Sequence, residues 1–163
     1  MPYALLSLLW ISVLALFATM LSGFHILPVH LTGHVILALT ATTLALFAHT
    51  MTMFYFIGTG KKIKEFISSW DEAYQNEIRQ KIIQMKRKIF PGMTMVCLVL
   101  MVAFILGGAY DARVISKSVH FWAASIALVF HVHVVFRETL YLFRNIDLIS
   151  EVNDESRSRA NAA

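Results

Sequence analysis

The residues of this chain best suited to bind a metal are its seven histidines. They are His25, His30, His34, His49, His120, His131 and His133. Imidazole is the commonest protein ligand for transition metals, and an ionisable group inside an apolar segment is a functional-site hypothesis by default. His25 and His30 lie between two long apolar runs, and the other five lie within two such runs. What these five side chains can bind therefore depends on the elements that position them and on their depth.

Four long apolar runs account for a hydrophobic fraction of 58% and a charged fraction of only 15%. Soluble domains have about 45–50% and about 25%, respectively. About 20 helical residues cross the hydrocarbon core of a bilayer, and each run is at least that long. The composition excludes a disordered chain, a disulfide scaffold and a soluble globular enzyme. It predicts an all-α, polytopic membrane protein whose bundle of four transmembrane helices covers residues 3–27, 31–57, 89–110 and 119–143.

The segments outside these four spans are more polar. In residues 61–88, apolar side chains recur every three or four positions, which predicts a cytoplasmic amphipathic helix between the second and third spans. Its apolar face is expected to pack on the membrane surface or on helix ends, or to dock a partner subunit. Residues 1–150 are predicted to form one domain, and residues 151–163 a flexible cytoplasmic tail.

The positions of lysine and arginine predict the orientation of the spans. Residues 58–88 contain eight of them and residues 22–30 contain none. Because basic residues are retained on the cytoplasmic side, both termini and the long loop are expected there. We expect an integral protein of a bacterial inner membrane, embedded in the lipid bilayer. The net charge of +4 comes with no nucleic-acid-binding signature, so no nucleic acid is expected as a partner.

In this orientation the second and fourth spans run in the same direction, so the depths of their histidines can be compared. His34 and His120 are expected near the outer face, and His49 lies about 22 Å deeper than His34. His34 and His49 differ by only about 60° around their helix. On the fourth span, His131 shares a face with His120 to within about 20°, whereas His133 points about 140° away. We therefore predict His34 with His120 and His49 with His131, with His133 as the alternative inner ligand.

A haem with two axial histidines needs one imidazole from each of two facing helices at similar depth. This pattern is similar to the ligand arrangement of di-haem b-type cytochromes, a resemblance restricted to four positions. It implies one or two haem b groups, with iron held between the second and fourth spans, and a role in electron transfer in a respiratory chain. We expect no independent enzymatic activity but a subunit of a membrane oxidoreductase, with a membrane or cytoplasmic partner subunit and a quinone as candidate reactant.

Other residues fit a haem pocket. Glycine lets a porphyrin approach the backbone closely, and the candidates are Gly33, Gly107 and Gly108. Basic side chains can pair with the haem propionates, and the candidates are Arg113, Lys117, Arg137 and Arg144. The alternative reading of these four is interfacial charge that sets topology.

Two alternatives belong to other functional classes. Two Met-Thr-Met triplets, Met51-Thr52-Met53 and Met93-Thr94-Met95, lie near the cytoplasmic ends of two spans. Thioether and imidazole ligands suit Cu(I), which makes a copper-handling protein one alternative. The other is a non-catalytic accessory or assembly subunit. Asp111 and Glu138 are expected at helix ends, which predicts no proton relay across the membrane core.

Overall fold

Four long helices make up the computed structural model, which describes residues 1–24, 26 and 31–162. They are α1 (Pro2–Gly23), α2 (Leu31–Phe66), α3 (Glu72–Asp111) and α4 (Lys117–Ala162). Each contains a segment long and apolar enough to cross a membrane. The prediction of an all-helical chain with four helices able to span a membrane is therefore confirmed, and insertion into a bilayer stays a prediction.

The helices form an up-and-down bundle in which each packs against its neighbours in sequence and α1 closes against α4. As a result, α2 and α4 face each other diagonally across the core. We call the end where α1 stops and α2 begins the first-loop end, and the end where α2 stops and α3 begins the second-loop end. Fully buried Ala41, Ala45 and Ala48 form a stripe of small residues along α2. Small side chains let membrane helices approach closely.

At the second-loop end, α2 and α3 project as a helical hairpin instead of one amphipathic helix over 61–88. The hairpin turns after Phe66, and α3 starts where the Asp71 side chain accepts a hydrogen bond from the backbone N–H of Tyr74 at 2.9 Å. Aspartate is a favoured N-cap because it satisfies an otherwise unpaired amide of the first helical turn. The apolar face therefore folds on itself, with Ile67 and Ile78 fully buried.

The last residues of α4 pack onto this hairpin, so the helix runs on where a flexible tail was predicted. Val152 is buried in the same apolar cluster. Arg159 Nη2 lies 2.7 Å from Asp71 Oδ2, and its guanidinium carbon lies 4.7 Å from the ring centroid of Trp70. The Tyr74 amide and the Arg159 guanidinium both lower the pKa of Asp71. Helix formation here follows from these tertiary contacts, which the polar composition of the segment does not reveal.

Pro91 lies inside α3, because the helix begins far upstream of the predicted third span. Proline has no backbone N–H, so the usual helical hydrogen bond to the carbonyl of Arg87 is not formed. One residue further, the Arg137 guanidinium of α4 donates to the Lys88 carbonyl at 3.0 Å. This bond ties α4 to α3 beside the proline.

Candidate functional site

The first-loop end of the bundle encloses a cavity of about 520 Å³ between all four helices. Most of its wall is aliphatic or aromatic, and both His34 of α2 and His120 of α4 lie on it. Cofactor and small-molecule sites are typically apolar cavities of about 300–1,000 Å³ with a few placed polar groups. The cavity therefore has the size and lining of a binding site for an apolar group.

His34 is oriented by the end of α1. Its Nδ1 lies 3.3 Å from the hydroxyl of Ser22, a buried side chain. Gly23 makes room for the ring, since a Cβ atom there would lie 3.3 Å from His34 Cε1. With Nδ1 engaged by Ser22, Nε2 is the nitrogen left to bind a ligand. A hydrogen bond to the second nitrogen is how metal-binding histidines are usually oriented.

His120 is held by α3. Its ring stacks on Tyr110 with centroids 5.9 Å apart and planes inclined by 7°. A Cβ atom at position 107 would lie only 3.0 Å from His120 Cε1, so only glycine fits without displacing the ring. The Nδ1 atom of His120 is buried and forms no hydrogen bond among the described residues. A buried polar atom without a partner costs about 1–3 kcal/mol, which points to a group other than the protein.

The other predicted pocket residues are divided between the two ends of the bundle. Gly107, Gly108 and Lys117 line the cavity. Gly33 lies in the first turn of α2, at the same end. Arg113 is exposed in the turn between α3 and α4, with a φ of 60°.

Arg137 and Arg144 lie toward the second-loop end, and both interact with protein groups. Arg137 donates to the Lys88 carbonyl, and the Arg144 guanidinium carbon lies 4.9 Å from the ring centroid of Tyr141. His25 and His30 lie outside the described residues.

A second cluster lies deeper, where three helices bring together four fully buried polar side chains. Glu138 Oε1 is 2.5 Å from His49 Nδ1, and His49 Nε2 is 3.0 Å from His131 Nδ1. His131 Nε2 is 3.1 Å from the hydroxyl of Ser12. These contacts form one continuous hydrogen-bonded chain from α4 through α2 and back through α4 to α1. We call it the buried chain.

The predicted inner pair, His49 and His131, is thus brought together, whereas His133 is exposed. The pair forms a direct hydrogen bond, however, and the predicted arrangement of two ligands facing one iron is not what the structure has. An ion between two imidazole nitrogens needs about 4 Å, from metal–nitrogen bonds of about 2 Å, and the observed separation is 3.0 Å. Each ring uses both nitrogens in hydrogen bonds. Over the described part of the chain, no three His, Cys, Asp or Glu residues are arranged to hold a metal ion.

The methionine triplets do not present their sulfur atoms as sets. Met93 is fully buried in the core, whereas Met95 is 52% exposed on the opposite side of α3. Met51 and Met53 are partly buried and pack against the main core cluster. Packing accounts for the buried members without a metal.

Sequence reasoning missed Glu138 and Ser12. Glu138 was expected at a helix end, but it lies buried beside His49. A signal was available, because Glu138 follows His131 by seven residues and therefore shares its face of the helix. Ser12 had no such signal, since a hydroxyl in an apolar helix is ordinarily satisfied by its own backbone. Comparison of the chain with protein-family models, with curated proteins and with solved structures gives no match.

Proposed function

We propose that this protein is a membrane electron-transfer protein similar to b-type cytochromes, and that His34 and His120 would hold a haem b in the cavity at the first-loop end. The observation that carries the proposal is the cavity itself, about 520 Å³, with one imidazole on each of two diagonally opposed helices. Haem is large, flat and mostly apolar, which suits that lining. When bound, it supplies one-electron redox chemistry whose potential the protein tunes.

The residues of the cavity have distinct roles in this proposal. Ser22 fixes the His34 ring through Nδ1, leaving Nε2 for the iron. Tyr110 stacks on the His120 ring and limits its orientation, and the buried Nδ1 of His120 has no hydrogen-bond partner among the described residues. Gly107 leaves space beside the ring, and Lys117 at the cavity rim supplies a positive charge for a propionate. The mostly apolar lining would surround the porphyrin, and His34 and His120 would hold it from opposite sides of the bundle.

One haem rather than two is favoured. The nitrogens of His49 and His131 are all engaged in hydrogen bonds, so a second haem would require both rings to leave those bonds. We place the second-loop end in the cytoplasm of a bacterial cell, because it carries the eight basic residues of 58–88. A partner oxidoreductase subunit would bind there, and a quinone or an external donor would exchange electrons at the cavity end.

An absorption spectrum of the purified protein, before and after reduction with dithionite, tests the proposal. Protein from haem-replete cells should show the sharp reduced α band of a b-type haem, with one haem per chain. His34→Ala and His120→Ala should each remove this signal. His133→Ala, which changes an exposed histidine, is the matched control and should retain it. A colourless wild-type protein would refute the proposal.

Two other results would redirect the assignment. Copper without iron in elemental analysis would support the copper-handling alternative. A metal-free protein that co-purifies with a stoichiometric partner would support the accessory-subunit alternative.

A further inference from the structure

The hydrogen bonds of the buried chain all donate in the same direction, which is set by the bond that Ser12 forms with the backbone of Leu9. The Ser12 hydroxyl donates to the Leu9 carbonyl at 2.6 Å, and a carbonyl can only accept. The Ser12 oxygen therefore accepts from His131 Nε2–H. A neutral His131 then has an unprotonated Nδ1, which accepts from His49 Nε2–H. A neutral His49 that donates through Nε2 has an unprotonated Nδ1. The proton between this nitrogen and Glu138 Oε1, which are 2.5 Å apart, is therefore donated by the carboxyl.

We propose that the buried chain of Ser12, His131, His49 and Glu138 is a proton-binding and proton-transfer site. It stores one proton between Glu138 and His49 and passes it along the two imidazoles. This activity lies beyond the proposed electron transfer and does not depend on a haem being present.

The transfer is balanced at each bond. Glu138 Oε1 gives its proton to His49 Nδ1, and His49 Nε2 gives its proton to His131 Nδ1. His131 Nε2 then gives its proton to the Ser12 oxygen, and Ser12 passes its own hydroxyl proton to a water molecule on the cavity side. One proton leaves the chain, and the carboxylate of Glu138 now accepts from His49 Nδ1–H. Every hydrogen bond has reversed, and Ser12 turns its hydroxyl from the Leu9 carbonyl to His131 Nε2. A proton taken up again at the Ser12 end passes back along the same bonds, returns both imidazoles to their Nε2–H tautomers and restores the protonated carboxyl of Glu138.

The two ends of the buried chain face different parts of the bundle. At the Ser12 end, Leu16 and Ala127 line the cavity, each four residues, or about 6 Å along the helix, from Ser12 and His131 respectively. At the other end, Glu138 Oε2 is buried and forms no hydrogen bond among the described residues. The chain thus begins slightly more than one helical turn from the cavity. It ends at a carboxyl that lies near the Thr52 hydroxyl and whose second oxygen has no hydrogen-bond partner among the described residues.

More polar groups continue from Glu138 toward the second-loop end. Thr52 on α2 is fully buried, and its hydroxyl donates to the Ala48 carbonyl at 2.9 Å. Two turns beyond Glu138, buried Asn145 donates to the Thr59 hydroxyl at 3.2 Å. These groups mark a polar path through an otherwise apolar core.

If Glu138 loses its proton, no described cation apart from a protonated His49 is in place to balance the carboxylate. From α3, the Cys97 thiol lies within electrostatic range of the carboxyl. The adjacent cation on α4, Arg137, is committed to the Lys88 carbonyl. From α1, Ser12 contributes only a hydroxyl, at the far end of the chain. Among the described residues, His49 is the basic side chain that contacts the Glu138 carboxyl. When the carboxyl gains or loses a proton, the hydrogen bonds of His49 and His131 must therefore change with it.

Infrared spectroscopy and nitrogen-15 NMR of the histidines test the proposal on the full chain in lipid nanodiscs. At neutral pH the wild type should show the C=O stretch of a buried protonated carboxyl, shifted in D2O. As the pH rises, this band should disappear together with a tautomer switch of both His49 and His131. A structural hydrogen-bond network alone predicts no concerted switch.

Glu138→Gln provides the decisive variant. A glutamine amide still donates to His49 Nδ1 but cannot lose a proton, so the band should vanish and both imidazoles should keep one tautomer at all pH values. Glu65→Gln, at a carboxylate whose side chain is 65% exposed, is the control and should behave like the wild type. If Glu138→Gln does not fold, glutamate labelled with carbon-13 at the side-chain carboxyl tests the assignment in the wild type by the isotope shift of the band.

Three results would overturn the proposal: no protonated-carboxyl band at any pH, imidazoles that switch independently, or a switch that persists in Glu138→Gln. Absence of haem would overturn the proposed function while leaving these outcomes interpretable. Concerted switching in a colourless protein would support the proton site alone.

Discussion

A methyl group added at Gly107 should displace the His120 ring, whereas the same change at the adjacent Gly108 should not. At position 107 the new Cβ would lie 3.0 Å from His120 Cε1, and ordinary contact begins at 3.4 Å. The ring must therefore retreat by about 0.4 Å or more. Its stacking on Tyr110 limits how it can do so. At position 108, no atom of another described helix lies within 4 Å of the place that the new methyl would occupy.

The expected cost of Gly107→Ala is that of an overpacked site, about 1–3 kcal/mol. If this strain falls on the ligand, haem affinity should drop by about 5- to 140-fold, at about 1.4 kcal/mol per factor of ten. Gly108→Ala removes a flexible residue from a helix and introduces no clash. It should therefore leave affinity unchanged and raise stability by up to about 1 kcal/mol.

Titration of haem-free protein with haemin, followed by its absorption spectrum, measures the affinity, and thermal melting in the same detergent measures stability. The pair of variants is informative because the two glycines are neighbours on one helix. Equal haem affinity for Gly107→Ala and Gly108→Ala would refute the argument that the close approach of Gly107 positions His120. If Gly107→Ala has a lower melting temperature but an unchanged haem affinity, the strain is taken up by parts of the protein other than His120.

Three further predictions concern other parts of the bundle. Arg159→Gln should release the end of α4, seen as faster proteolysis of that segment, and unchanged protection would contradict the proposed contact. The folded state lowers the pKa of Asp71. The stability that its carboxylate contributes is therefore present above the ordinary pKa and is lost as the pH falls through the folded-state pKa. Protection of the α4 terminus from proteolysis should accordingly weaken in acid. Met93→Ala should cost about 2–5 kcal/mol, since the side chain is fully buried, and exposed Met95→Ala should be nearly neutral by thermal melting. Gly60→Ala should lower stability by about 1–3 kcal/mol, because its Cβ would lie 3.0 Å from a side-chain methyl of α3, and an unchanged melting temperature would show that α3 yields freely.

The four spans could be predicted because bilayer thickness imposes a minimum apolar length, which local composition reveals. The angular argument on α4 also separated His131 from His133 by face, and the structure buries the first and exposes the second. That argument needs only helical periodicity. It did not show which atoms of His131 would meet which partners.

The buried position of Glu138 could not be read from hydropathy, because the residue follows Arg137 near the end of an apolar run. Its burial comes from the packing of α4 on α2, which sets its carboxyl against His49, a residue far away in sequence. In addition, α4 continues through Ala162 and α3 begins at Glu72, so that the bundle extends well past the predicted ends of the spans. Those extensions are stabilised by contacts between segments far apart in sequence, such as Arg159 with Asp71. Local patterns contain no information about such pairs.

The docking of the α4 terminus onto the hairpin has a consequence for biosynthesis. During translation the hairpin between α2 and α3 emerges first, with one side of its apolar face uncovered. Val152 and Arg159, which cover that side, leave the ribosome only after the fourth span has been made. Closure of this cluster therefore cannot precede synthesis of the last helix. A chain that stops before Val152 would leave one side of the apolar face of the hairpin uncovered and open to proteolysis.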